Sequence, residues 1–189
     1  MTHSPVWQAA SAELYGNIHL DEGVSIWPKV VMRAEMNHIS IGSYTNIQDF
    51  AMIHISSAPT PTIIGDYCSI THHCTIHGAK IGDNCLIGIN ATIMDGAIIG
   101  SNSIVAGHTI VKEGSVIPEN SIVAGVPGNI VATKNCYVPN RVNAMAYYEN
   151  ALAYAKGNHR RWSEIDYLKK IESWQNIFQS ELDSRKTPT

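Results

Sequence analysis

Three of the chain's nine histidines stand where their spacing could do chemistry. His54 follows Ile53, His77 follows Ile76, and His72 lies five residues before His77. Imidazole carries protons near neutral pH and ligates divalent metals. A zinc site needs its nitrogens about 2.0–2.1 Å from the ion. What decides between these uses is the fold that would bring the three rings together.

The elements that position them announce themselves by period. Ile81, Ile87, Ile93, Ile99, Val105, Val111, Ile117 and Val123 recur every sixth residue, and Ile64, Ile70 and Ile76 keep the same step upstream. A helix repeats at 3.6 and a single strand at 2, so neither explains six. Six is the step of a hexapeptide-repeat parallel β-helix, in which each rung covers one side of a triangular prism. A second column supports it: four residues after every aliphatic but Ile76 and Val123 come Cys68, Cys74, Cys85, Ala91, Ala97, Ser103, Thr109, Ser115 and Ser121, all small. Asn84, Asn90, Gly96, Asn102, Gly114 and Asn120 fall three residues after it, and these types tolerate the left-handed backbone of a corner.

Rung phase then places the histidines. Ile41 to Ile53 and Ile64 to Ile76 are each three rungs, so His54 and His77 fall in one column on adjacent coils. Stacked strands would hold them about 4.8 Å apart, within reach of one ion. His72 sits two past Ile70 on the adjoining face, and five extended residues cover roughly 16 Å. If all three bind one metal, His72 must come from another subunit. A threefold assembly achieves this by setting one face of each prism against the next face of its neighbour. Spacing alone leaves the other reading open, because lone histidines are more often surface or packed residues. His3, His19, His38, His73, His108 and His159 are read that way.

Composition narrows the rest. The chain is 189 residues long, 44% hydrophobic and 15% charged, with net charge −3. That length can bury a sizeable core as one domain. Without a Lys/Arg run or basic stripe, no nucleic-acid or membrane surface is expected. No apolar stretch approaches the ~20 residues of a membrane span and no leader pattern opens the chain, so a cytoplasmic protein is expected. Cys68, Cys74 and Cys85 read as small buried hydrophobes, and a reducing compartment argues against a disulfide between Cys68 and Cys85.

Residues 1–137 are expected to form the β-helix with an N-terminal cap, and residues 138–189 a helical tail packed on the prism. Rungs begin faintly at Ile18, Val24 and Val30. The eleven-residue step from Ile53 to Ile64 makes Ser56–Thr62 a loop projecting from a corner. Asn143–Lys156 has helical spacing. Ser163 and Asp166 suggest a capping box for a second helix, with Ile165, Leu168, Ile171, Trp174, Ile177, Phe178 and Leu182 as its apolar face. Arg185–Thr189 is expected to fray.

The segments IWPKVVMRAEMNHISIGSYTNIQD, MIH and ITHHCTIHGAKIG resemble the γ-class carbonic anhydrases and their relatives, over roughly Ile18 to Val131. Family members show Arg-Gly-Asp, Thr-Asn-Ile-Gln-Asp, Gly-His and Leu-His-Gly in this order. Here they read Arg33-Ala34-Glu35, Thr45-Asn46-Ile47-Gln48-Asp49, Thr71-His72 and Ile76-His77-Gly78. The resemblance implies a left-handed β-helix assembled as a homotrimer with three metal sites between subunits, His54 and His77 from one chain and His72 from its neighbour. It implies Zn²⁺, with Fe²⁺ or Co²⁺ as alternatives for an all-imidazole site. It also implies a lyase of the carbonate dehydratase type, in which metal-bound hydroxide attacks CO₂ to give bicarbonate. By the same resemblance Gln48 orients hydroxide or substrate, and Asn46 occupies a site position. Asp49 should stack one coil from His72. Arg33 is expected within reach of Asp49 as an ion pair, with Glu35 nearby in place of the family's aspartate.

The sequence also departs from the archaeal type, which carries glutamates after its first metal histidine and just after Arg-Gly-Asp. The segment Ile55–Thr62 has no acidic residue, and Met36 follows Glu35. Two other functions compete. Hexapeptide prisms and the AGVPGNIV ending also resemble acyl- and acetyltransferases that use acyl-CoA, where one histidine between subunits is the general base without metal. A non-catalytic metal-binding trimer is the other.

Overall fold

The computed structural model describes residues 4–56 and 60–185, and its centre is the hexapeptide-repeat β-helix. Each coil contributes three short strands, and each stacks in parallel on its counterparts. One face carries Ser25–Ile26, Asn46–Ile47, Ser69–Ile70, Leu86–Ile87, Ile104–Val105 and Ser121–Ala124. The next carries Met52–His54, Thr75–His77, Thr92–Ile93 and Ile110–Val111, and the third Thr62–Ile64, Lys80–Ile81, Ile98–Ile99 and Val116–Ile117. The long strand Val31–Ile41 belongs to both of these last faces: its start pairs with Met52–His54 and its end with Thr62–Ile64. An antiparallel strand, Asn129–Thr133, closes the stack against Ser121–Ala124.

All eleven residues of the six-step column, Ile64 to Val123, are buried. Burying an isoleucine side chain contributes roughly 1.5–3 kcal/mol, so this column dominates the stability of the prism. The small column is buried as well except at half-buried Ser115. It leaves Cys68, Cys74 and Cys85 as free thiols inside the coil. The six Asn and Gly corners all adopt φ between 59° and 67°. Lys29, Tyr44, Phe50, Tyr67, His73 and His108 turn corners with the same left-handed backbone.

The first coil runs in a different phase from the one its faint aliphatics suggest. Leu20, Ile26 and Met32 pair with Ile41, Ile47 and Ile53, so they are the inward rung residues. Val24 and Val30 take the place of the small column; both are buried. Between Gly16 and Asn17 the strand Glu13–Leu20 skips from Ala34 to His38, so Glu35–Asn37 bulges out of the coil. Gly16 permits that passage: at φ 89° it brings its backbone so close that a Cβ would lie 2.2 Å from the Ala34 carbonyl oxygen. Part of the expected Ser56–Thr62 loop, residues 57–59, lies outside the described residues, as do Met1–His3 and 186–189.

Helix α1 (Tyr137–Tyr154) lies along the face of Ser25–Ile26, Asn46–Ile47 and Ser69–Ile70, and it starts six residues earlier than its spacing suggests. Asn140 Nδ2 donates to the Asn84 and Ser103 carbonyls and Asn143 Nδ2 to Ser69 Oγ, so polar residues pin the helix to the coil. Helix α2 (Ile165–Ser184) packs on α1 through Trp174, Phe178 and Ile171. Tyr167 joins the buried side of α2, while Ile165, Leu168 and Ile177 are exposed. Ser163 lies in a 3-10 turn and bonds the Arg160 carbonyl instead of capping α2, which starts after Glu164. Among the described residues, no helix is long and apolar enough to cross a membrane.

Candidate metal centre

Strands Met52–His54 and Thr75–His77 pair in register, His54 against His77. Both side chains point outward because Ile53 and Ile76, one residue earlier, point in. The rings are tilted with centroids 5.0 Å apart, and His54 Nδ1 lies 3.1 Å from His77 Nε2. Carboxylates hold the other nitrogens: Asp95 Oδ1 is 2.7 Å from His77 Nδ1, and Glu35 Oε2 is 3.1 Å from His54 Nε2. Burial alone would raise the Asp95 pKa, but hydrogen bonds from Ser56 and His77 hold it below the usual aspartate value. Glu35 is likewise held low, first by a backbone hydrogen bond and then by His54 and Arg33.

This arrangement tests the fit of a metal. A neutral imidazole has one N–H. If Asp95 accepts the one on His77 and Glu35 the one on His54, the two remaining nitrogens present lone pairs to each other across 3.1 Å. Facing lone pairs repel unless a cation lies between them. Two ligands bound tetrahedrally at 2.0–2.1 Å stand about 3.3 Å apart, close to the separation observed. The donor set therefore fits a divalent ion. Arg33, Met36, Ile55 and Ser56 complete the cleft beside the pair, whose volume is about 410 Å³.

His72 stands on the adjoining face. Asp49 Oδ2 lies 3.0 Å from its Nδ1, which leaves Nε2 free to bind a metal. The corner between His72 and the His54–His77 pair is built by Phe50 and His73, whose rings stack at 4.8 Å with 2° between planes. Within one chain, no group of three His, Cys, Asp or Glu side chains among the described residues could hold an ion.

The family model described as bacterial transferase hexapeptide (six repeats) matches residues 78–113. Over 148 residues the chain is 47% identical to a probable carbonic anhydrase of Methanocaldococcus jannaschii, covering 78% of this chain and 89% of that protein. Over 183 residues it is 43% identical to gamma carbonic anhydrase 3, mitochondrial, of Arabidopsis thaliana, covering 93% and 70%. The chain belongs to the γ carbonic anhydrase family. Solved structures share its fold at lower identity. A hexapeptide transferase family protein from Anaplasma phagocytophilum aligns with TM-score 0.66 at 24% identity, over 80% of this chain and 91% of that one. AntD, an N-acyltransferase from Bacillus cereus in complex with dTDP and 3-hydroxybutyryl-CoA, aligns with TM-score 0.62 at 16% identity, over 76% and 87%.

As a γ carbonic anhydrase family member, the chain divides its expected site residues into two groups. Arg33, Glu35, His54 and His77 gather around one cleft. Asn46, Gln48, Asp49 and His72 lie on the face beside α1. Gln48 Nε2 donates to Asn46 Oδ1 at 2.9 Å, and Asn46 Nδ2 donates to Ser69 Oγ at 3.0 Å; both residues are buried. The expected Arg33–Asp49 pair does not form within the chain. Arg33 pairs in register with His54 and bonds Glu35, because Met32 and not Val30 is the inward residue. Asp49 stands against His72 instead. Sequence reasoning missed Asp95, although a carboxylate one coil beyond an outward histidine was the available signal. It also missed Tyr147 of α1, whose phenol burial and the Asp49 charge push up to about 12.

Proposed function

We propose that the protein is a γ carbonic anhydrase-like metalloenzyme that reversibly hydrates CO₂, working as a homotrimer with its sites between subunits. The observation that carries this reading is the facing pair of imidazole nitrogens, each ring fixed from behind by a carboxylate. In this reading His54 and His77 of one chain and His72 of the next hold the ion, with Zn²⁺ the first choice and Fe²⁺ or Co²⁺ the alternatives. A bound divalent ion supplies Lewis-acid activation of water for addition to CO₂.

The chain's own residues set the conditions for that chemistry. Asp95 fixes the His77 tautomer by accepting its Nδ1 proton, and Asp49, 3.0 Å from His72 Nδ1, favours the same tautomer there, so that each Nε2 presents its lone pair. Glu35 stands at His54 Nε2, where its carboxylate can accept a proton, and Arg33 holds it there. The buried Asn46–Gln48 pair shares a face with His72, so each chain brings Gln48 to its neighbour's cleft along with that histidine. Met36 and Ile55 give the cleft the apolar wall that suits uncharged CO₂.

A stopped-flow assay of CO₂ hydration on zinc-loaded protein tests the activity. Wild type should turn over and His77→Ala should fall to the background of free zinc. Equal rates in both would refute the reading.

A further inference from the structure

A polar pocket lies on another corner of the prism, away from the histidines, where Asp66-Tyr67, Asp83-Asn84 and Ser101-Asn102 stack. The N-terminal half of α1 roofs it with Arg141, and Arg185 at the end of α2 forms its rim; its volume is about 320 Å³. We propose that this pocket binds a small oxyanion that carries a hydroxyl, such as hydrogencarbonate or hydrogenphosphate.

Two unsatisfied atoms define the ligand. The Arg141 guanidinium stacks over the Tyr67 ring at 3.7 Å, with the Tyr137 and Phe178 rings at 5.2 Å. Its Nε is buried with no hydrogen-bond partner, and no carboxylate among the described residues reaches it as an ion pair. Aromatic faces stabilise a cation but leave its N–H edge to be filled by an acceptor. Asn84 is 2% exposed and lines the same pocket. Its Nδ2 is committed to Asn102 Oδ1 and the Tyr137 carbonyl, so its Oδ1 is fixed as an acceptor, and that atom is buried without a donor.

A ligand that satisfies both must be anionic and must also donate. The carboxylates nearby strengthen that choice. Asp66 Oδ1 accepts from the Ser43 amide and Asp83 Oδ1 from the Asp66 amide, so neither calls for a cation. Both repel an anion that has no proton to offer them. Hydrogencarbonate and hydrogenphosphate meet these conditions; sulfate, fully dissociated at neutral pH, does not.

Isothermal titration at pH 8 and constant ionic strength, with His54→Ala protein as the host, removes the histidine cleft as a competing anion site. Phosphate and bicarbonate should each bind at one site per chain, and sulfate about tenfold or more weaker, the loss expected for one unmade charge-assisted hydrogen bond. Adding Arg141→Met should weaken phosphate by at least about tenfold. Because Arg141 also packs against three rings, the wild-type protein provides a second readout: the Arg141 Nε–H resonance should move during phosphate titration. Undiminished binding after Arg141→Met, an unmoved resonance, or sulfate binding equal to phosphate would overturn the proposal.

Discussion

The coils that carry the histidines and the coils that follow them share one interior and differ outside it. From Ile81 to Ile117 each rung is two residues of strand and a tight corner, and every corner between them is turned at positive φ by Asn or Gly except the one at His108. From Val31 to His77 the strands on the two other faces lengthen, Asn46–Ile47 and Ser69–Ile70 alone staying at two residues, and Glu35–Asn37 bulges out. There the corners are turned by Tyr44, Phe50, Tyr67 and His73, which are bulkier than the backbone prefers. The difference teaches where the fold accepts cost. Regular coils keep the cheapest corner residues, while irregular ones hold side chains that reach beyond the prism.

The shared interior is the first thing to break. Ile53→Ala in the histidine coils and Ile99→Ala in the plain coils should each cost about 2–5 kcal/mol, because both side chains are fully enclosed. Urea midpoints measure this, and a large gap between the two would show that the interiors are not alike.

The outer difference comes next. Asp95→Asn should leave the urea midpoint nearly unchanged while metal affinity falls about 10–100-fold, the usual effect of removing a carboxylate behind a ligand histidine. Competition with a chromogenic chelator reads that affinity. An unchanged affinity would remove Asp95 from the site.

Corner chemistry gives a smaller effect. Asn90→Ala should lose about 1–2 kcal/mol because alanine resists φ near 59°, whereas Asn90→Gly should be near neutral. Thermal denaturation distinguishes them. Equal shifts would mean that the corner tolerates any residue.

The smallest expected effect is alkaline. Burial holds the Tyr147 phenol at about 12 against 10.0 for a free tyrosine. Its neutral form is favoured in the folded protein, so the stability it contributes is full below pH 10 and is lost as pH rises toward 12. Tyrosinate absorbance of wild type minus Tyr147→Phe should therefore show no transition near pH 10 before unfolding.

Legibility in the sequence followed the same division. Where isoleucine and valine alternate with small residues at a fixed step, period alone located the inward column, the corners and the His54–His77 stacking. The first coil misled because Leu20 and Met32 face inward while Val24 and Val30, equally apolar, fill the small positions. That two-residue slip put Arg33 beside Asp49 of the same chain, whereas it pairs in register with His54. The second helix was misphased because Ile165, Leu168 and Ile177 are apolar yet exposed, and Tyr167 is buried in their stead. Asp49 behind His72 was readable from rung phase. Asp95 behind His77 was also within reach, since it needed only the same count carried one coil further.

The division of the metal ligands between two chains is tested most directly by measuring metal in mixed trimers. His72→Ala and His77→Ala should each bind no metal alone. Co-refolded in equal amounts, they should regain about a quarter of the wild-type metal per chain, the fraction of interfaces at which random assembly of a closed trimer leaves all three histidines. No metal in the mixture would contradict a site shared between subunits.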